Sequence, residues 1–323
     1  MQLQDYTTDA TLTVSSLFQH GLRQTFRFQR TIAESVAVRG FGFWTGEDVN
    51  VEFRPAPPNS GVVFVRVDLP EHPRIPALVE YRDEKPRQTS LVNGNARVDM
   101  VEHLLAAVRA HHIDNCEIHV NRPEMPGFDG SSYIFFRALE TVHAVEQPNI
   151  RPIRLVTRSF RVGTSEHWIS VLPSRNGKNM YHYSLVADTG YPLEDQGYAF
   201  DFSTDSFREE IMSTRTFISK PEADYLLDQG LCKRVTARDV IVLDAGGPID
   251  NSFRFQNECA RHKILDMVGD FSLTPCDWIG TFESYRGSHA LNAECVRQLL
   301  ENSLLFDESF FSDASEPAVK RAA

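Results

Sequence analysis

The chain reads as an α+β protein built in two successive halves, and three observations predict this. Short alternating segments, Val49 to Phe53 and Gly61 to Val67, flank the turn-rich stretch Pro55-Ala56-Pro57-Pro58-Asn59-Ser60, the pattern of antiparallel strands. Two amphipathic helices, at residues 99–112 and 256–273, carry apolar residues at helical spacing. Between them, near residues 145–152, the polar stretch EQPNIRPI with its two prolines marks a boundary.

In chain order, residues 1–25 form an N-terminal extension without a basic region leading into an apolar core. Asp5 and Asp9 argue against a transit peptide. The first α+β domain is expected over 26–148. Its helix 99–112 takes Asp99 as N-cap and sets Val101, Leu104, Leu105 and Val108 on one face. The second α+β domain is expected over 152–305. Residues 205–229 look helical in pieces, Val240 to Leu243 is a short strand, and residues 256–273 form the strongest helix. A further strand, His289 and a last helix over 292–305 follow, leaving a mobile acidic tail at 306–323. No internal repeat stands out.

Composition excludes several classes. A net charge of −11 argues against a protein whose main task is gripping nucleic acid or an anionic membrane, since both need a basic face, and leaves room for a local basic site. Five scattered cysteines, Cys116, Cys232, Cys259, Cys276 and Cys295, form neither a disulfide framework nor a Cys-rich zinc motif, and suit a reducing cytosol. No run reaches the roughly 18 apolar residues of a membrane span.

Ionisable residues at particular spacings carry the chemistry. At about 100° per residue, His262, Asp266 and Asp270 align one turn apart, opposite the apolar stripe Ile264, Leu265, Met267, Val268 and Phe271. His262 and Asp266 can converge on one cation, and imidazole with carboxylate suits zinc. Taken alone, that helix reads first as a solvated face with a His–Asp pair. The earlier helix puts Glu102 and His103 together at its start, a usable base beside a usable third ligand. Amide hydrolysis also needs a donor for the departing amine, and His289, oriented by Asp270, is the candidate. The remaining histidines read as surface or packing residues.

In order and spacing, RPAPPNSGVVFVRVDL, MVEHLLAA, IDN, FDGS, RTF, RHKILDMVGD and GSHALN resemble the bacterial UDP-3-O-acyl-N-acetylglucosamine deacetylases, the LpxC type, over roughly residues 28–305. The resemblance implies two similar two-layer α+β domains, helices layered on a sheet, packed face to face around the active site. It implies zinc-dependent hydrolysis of the N-acetyl group of UDP-3-O-acyl-N-acetylglucosamine, the committed step of lipid A biosynthesis. His103, His262 and Asp266 become the zinc ligands, Glu102 the base, and His289 the acid, oriented by Asp270. Thr216 falls beside the oxyanion, Phe217 against the sugar and Lys263 on the diphosphate, with Arg286 assisting. One zinc per chain is expected, Fe²⁺ being compatible with the same ligands. A cytoplasmic monomer that binds a UDP-linked acylated sugar, and no nucleic acid, is expected.

The chain departs from the family pattern at three places. Gly40-Phe41-Gly42-Phe43-Trp44-Thr45-Gly46 has Trp44 where the family's turn has His. Ile218-Ser219 follow R-T-F in place of Gly-Phe, and Lys233-Arg234-Val235-Thr236 replace L-G-G-S. These changes leave acyl length open, but not the metal and acid–base set. A zinc amidohydrolase acting on another acylated amino sugar, or a non-catalytic nucleotide-sugar binding protein, are the competing readings. The first would fail to turn over the nucleotide-linked substrate, and the second has no use for Glu102 and His289.

Overall fold

A computed structural model describes residues 26–186 and 193–307; the extension at 1–25, and all of the expected tail but Phe306 and Asp307, lie outside the described residues. Strands β1 (Val36–Phe41), β2 (Asp48–Pro55), β3 (Val62–Arg66) and β4 (Arg74–Pro76) are followed by helix α1 (Glu102–Ala110), strand β5 (Cys116–Val120) and helix α2 (Tyr133–Val142). Then come β6 (Phe160–Gly163), β7 (Trp168–Leu172), β8 (Met180–Leu185), β9 (Gln196–Asp201), helices α3 (Thr204–Glu210), α4 (Lys220–Asp228) and α5 (Glu258–Phe271), strand β10 (Thr281–Tyr285) and helix α6 (His289–Asn302).

The first five strands form a sheet of order β1-β2-β5-β3-β4, and the last five a sheet of order β6-β7-β10-β8-β9. In both, the last strand of the set inserts centrally, antiparallel to one neighbour and parallel to the other. The same topology is thus used twice, although no repeat is visible in the residues. Topology needs only matching polarity patterns, which unrelated side chains supply equally well. The expected strands at 49–53 and 61–67 are both present and run antiparallel, but β5 lies between them instead of a shared hairpin.

The fold is α+β in layers. Helix α2 packs on β1, α5 on β8 and β9, and α6 on β6 and β7, while α1 packs closely against α5. One hydrophobic core runs through all four layers, from Val51, Phe53 and Ile118 through Leu104 and Leu265 to Tyr181, Phe200 and Phe282. Each such side chain contributes about 1.5–3 kcal/mol on burial. All nine residues of α1 are buried, and both α2 and α5 pack against it.

Residues 144–150, at the expected boundary, form a strand antiparallel to Phe28–Ile32. A register shift between Phe28 and Arg30 takes up Pro148, which has no N–H for the ladder. Asp99 is not an N-cap: it ends a strand, accepts from Lys85, and is followed by Met100 at φ 58°, so the helix begins at Glu102. The last helix begins at His289 and not at 292, because Ser288 caps it through Leu291 N–H.

A buried ionic clasp joins the chain's early and late segments. Arg27 contacts Asp114 at 2.6 Å and Asp277 at 2.8 Å. Arg151 reaches Asp114 at 3.0 Å and Asp277 at 3.2 Å, and Arg109 also binds Asp277. Among the described residues, no helix is long and apolar enough to cross a membrane, and all five cysteines are free thiols.

Candidate metal centre and its acid–base groups

Helices α1 and α5 meet where their backbones nearly touch. A Cβ built on Gly269 would lie 2.1 Å from the carbonyl oxygen of Glu102, so only glycine admits this approach. The approach brings His103 from the first turn of α1 onto the His262–Asp266 face of α5. The ligating atoms of His103, His262 and Asp266 lie within 4.8 Å of one another, and all three residues are buried. Solvated helix faces are therefore excluded for both helices.

The proton positions in this cluster decide its chemistry. His262 Nδ1 stands 3.1 Å from the carbonyl oxygen of Thr214, which can only accept, so the ring proton is on Nδ1 and Nε2 carries a lone pair. Burial first, then His103 and Lys263, push His262 down to about 3 against the pull of Asp266, so it is neutral. Its Nε2 faces Asp266 Oδ1 at 3.3 Å, and His103 Nε2 faces the same oxygen at 3.5 Å. That oxygen is buried with no hydrogen-bond donor. Burial opposes the charge on Asp266, yet Lys263, by charge and hydrogen bond, with His103 and His289, holds the carboxyl well below the usual range. A lone pair facing a buried carboxylate with no proton between them can seat a cation.

Acid–base groups adjoin it. Glu102 is buried, and its Oε2 accepts the backbone N–H of Thr89 at 3.0 Å. Burial, with Asp270 and Asp266, raises its carboxyl above the ordinary value although His289 and His103 act the other way. His289 Nδ1 lies 2.9 Å from Asp270 Oδ2, while its Nε2 is 3.9 Å from both Glu102 Oε1 and Asp266 Oδ2. Burial alone would depress this imidazole; Asp270, by charge and hydrogen bond, with Asp266 and Glu102, raises it to about 9. Asp270 also accepts from Asn292 Nδ2 at 2.8 Å and from Thr89 Oγ1 at 2.5 Å.

The structure thus brings together His103, His262, Asp266, Glu102, His289 and Asp270. Phe217 lies alongside, its ring edge-on to His262 with centroids 6.4 Å apart, and Thr216 directly precedes it, half-buried. Lys263 donates to Asp266 Oδ2 at 2.8 Å and sits 5.7 Å from the Phe217 centroid. Arg286, at φ 51°, is three residues before His289, with its N–H on Ser184 O. Both it and Lys263 act on the phenol of Tyr183, which burial nonetheless pushes up to about 12.

Several partners were not anticipated. Thr89 and Asn292 bind Asp270, and the Thr214 carbonyl orients His262. Glu258, fully buried and one turn before His262, accepts from the Arg215 backbone N–H at 3.1 Å and from its guanidinium at 2.8 Å, fixing the segment that carries Thr214. Glu258 continues the i, i+4 series of His262, Asp266 and Asp270, so its signal was present in the spacing. Two departures from the family pattern prove to be neighbours. Cys232 N–H donates to Trp44 O, and Arg234 binds Gly46 O at 2.7 Å and lies 4.2 Å over the Phe41 ring.

Residues 29–301 match the family described as UDP-3-O-acyl N-acetylglycosamine deacetylase. The chain is 32% identical over 281 residues to a UDP-3-O-acyl-N-acetylglucosamine deacetylase of Myxococcus xanthus, covering 86% of this chain and 88% of that one. It is 32% identical over 291 residues to the protein so named from Pseudomonas entomophila, and 31% identical over 292 residues to that from Coxiella burnetii. Each of these matches covers 89% of this chain and 95% of the relative.

Proposed function

Because the chain belongs to the UDP-3-O-acyl N-acetylglycosamine deacetylase family, we propose that it hydrolyses the N-acetyl group of UDP-3-O-acyl-N-acetylglucosamine, giving acetate and the free amine, with zinc held by His103, His262 and Asp266. The observation that carries the reading is the buried, donorless Oδ1 of Asp266 facing the lone pair of His262. Two imidazoles and one carboxylate are a donor set of catalytic zinc, and Fe²⁺ tolerates the same set. When bound, the ion supplies Lewis acidity and brings a water's pKa toward neutrality.

The chain's own residues do the rest. Glu102 has Oε2 tied to Thr89 and Oε1 turned to the cluster, so Oε1 is the atom that takes the attacking water's proton. Asp270 holds the Nδ1 proton of His289 and thereby aims Nε2–H at the same space. Charged through neutral pH, His289 stabilises negative charge on the carbonyl oxygen and then gives its proton to the departing amine. Thr216 is proposed beside that oxygen, Phe217 against the sugar, and Lys263 with Arg286 at the diphosphate. The proximity of Lys263 to Phe217 supports neighbouring sugar and phosphate contacts. Free thiols suit a reducing cytosol, and we infer a cytoplasmic monomer of two domains, 26–148 and 152–305.

The test is acetate release from UDP-3-O-acyl-N-acetylglucosamine with and without chelator, with metal content measured on the same protein. Chelator-sensitive release and one metal per chain are expected, and Asp266→Ala should lose both together. Full metal retention by Asp266→Ala would overturn the ligand assignment.

A further inference from the structure

We propose that Thr89 is a positioning residue for this reaction, setting the base and the acid through two different atoms; the inference rests on the deacetylase reading above. Thr89 is fully buried on the strand Ser90–Asn93's leading edge, and each of its polar groups is engaged. Its carbonyl accepts the Val101 N–H at 3.2 Å, anchoring the start of α1. Its N–H donates to Glu102 Oε2 at 3.0 Å, leaving Oε1 as the oxygen that faces His289. Its hydroxyl donates to Asp270 Oδ1 at 2.5 Å and lies 3.4 Å from His289 Nδ1.

The hydroxyl decides how Asp270 is used. With Oδ1 occupied by Thr89, Oδ2 is left for His289 Nδ1 and Asn292 Nδ2, and the carboxylate plane cannot rotate without breaking a buried, charge-assisted bond. His289 is thereby held with Nε2 toward Glu102 Oε1 and Asp266 Oδ2. Thr89 therefore couples groups from α1, α5 and α6 through Glu102, Asp270 and His289, none of them a proposed metal ligand.

Thr89→Val keeps the backbone N–H and the approximate volume and removes only the hydroxyl donor; Thr89→Ser restores it. The expected result is a fall in kcat of about 10–100-fold with KM and bound metal unchanged, and recovery of most of the loss in Thr89→Ser. The His289 Nδ1–H proton resonance, followed in ¹⁵N-labelled protein, should move in Thr89→Val and return in Thr89→Ser. An unchanged kcat with an unmoved resonance overturns the proposal. So does a loss that Thr89→Ser fails to restore, or one that tracks metal loss, since either marks a packing role. If Thr89→Val does not fold, Thr89→Ala carries the same expectations. Absence of acetate release by the wild type would instead remove the deacetylase reading, while the resonance, read without turnover, still reports the hold on Asp270.

Discussion

His289 illustrates how much of a site's chemistry depends on one neighbour. Burial disfavours its charge, and Asp270 reverses that balance, raising the imidazole to about 9. A raised value means the proton is bound at neutral pH and lost only as pH climbs through the folded value. Asp270→Asn should therefore shift the alkaline limb of kcat to lower pH while the metal stays bound; a limb that does not move would show that another group sets it. The His262, Asp266 and Asp270 series was legible because helical spacing fixes which side chains share a face. Glu102 and His103 were legible as neighbours at a helix start. Thr89 was not, because a threonine entering a short strand gains its meaning only from Asp270, 181 positions away along the chain.

Among the elements, the contact between α1 and α5 is the one the site cannot do without. Gly269 sits where a Cβ would meet the Glu102 carbonyl, and that atom belongs to backbone that cannot swing aside. Gly269→Ala should part the two helices, lowering stability by about 1–3 kcal/mol and lowering kcat through displaced Glu102 and His103. Thermal unfolding and acetate release on one preparation would check this; a normal Tm with normal turnover would contradict it. Helix existence was readable from periodicity, but their starts were less so. Asp99 looked like a cap, yet strand pairing and Lys85 claim it, whereas Ser288 was an available cap signal immediately before His289.

For the whole molecule, the ionic clasp contributes to the response to acid, alongside the buried His262 and Asp266. His112 packs beside it with a buried Nδ1 that has no partner; burial first, then Arg109 and Arg27, push it down to about 3. Its folded value lies below the unfolded value of 6.5, so the unfolded chain binds a proton that the folded chain refuses. Stability should fall as pH drops from 6.5 toward 3, and Asp277, held well below its ordinary value by Arg109, Arg27 and Arg151 against burial, adds to the fall below about pH 3.8. His112→Asn suits the left-handed φ of 53° and should flatten the upper part of this decline. Urea unfolding at pH 7.5 and 4.5 tests it, and equal slopes in variant and wild type would refute it. The layered α+β class was foreseeable from alternation and amphipathicity, but the doubled strand order was not, since polarity patterns do not specify which strand inserts where.

The split of the proposed ligand set between α1 and α5 bears on how the protein is made. A ribosome delivers His103 long before His262 and Asp266, and a lone imidazole holds a divalent ion poorly. A chain interrupted anywhere before residue 266 therefore leaves synthesis with an incomplete ligand set and withdraws little metal from the cell's supply. On the ligand assignment proposed above, metal acquisition would be a late step of biogenesis, open only to chains in which α5 has been made.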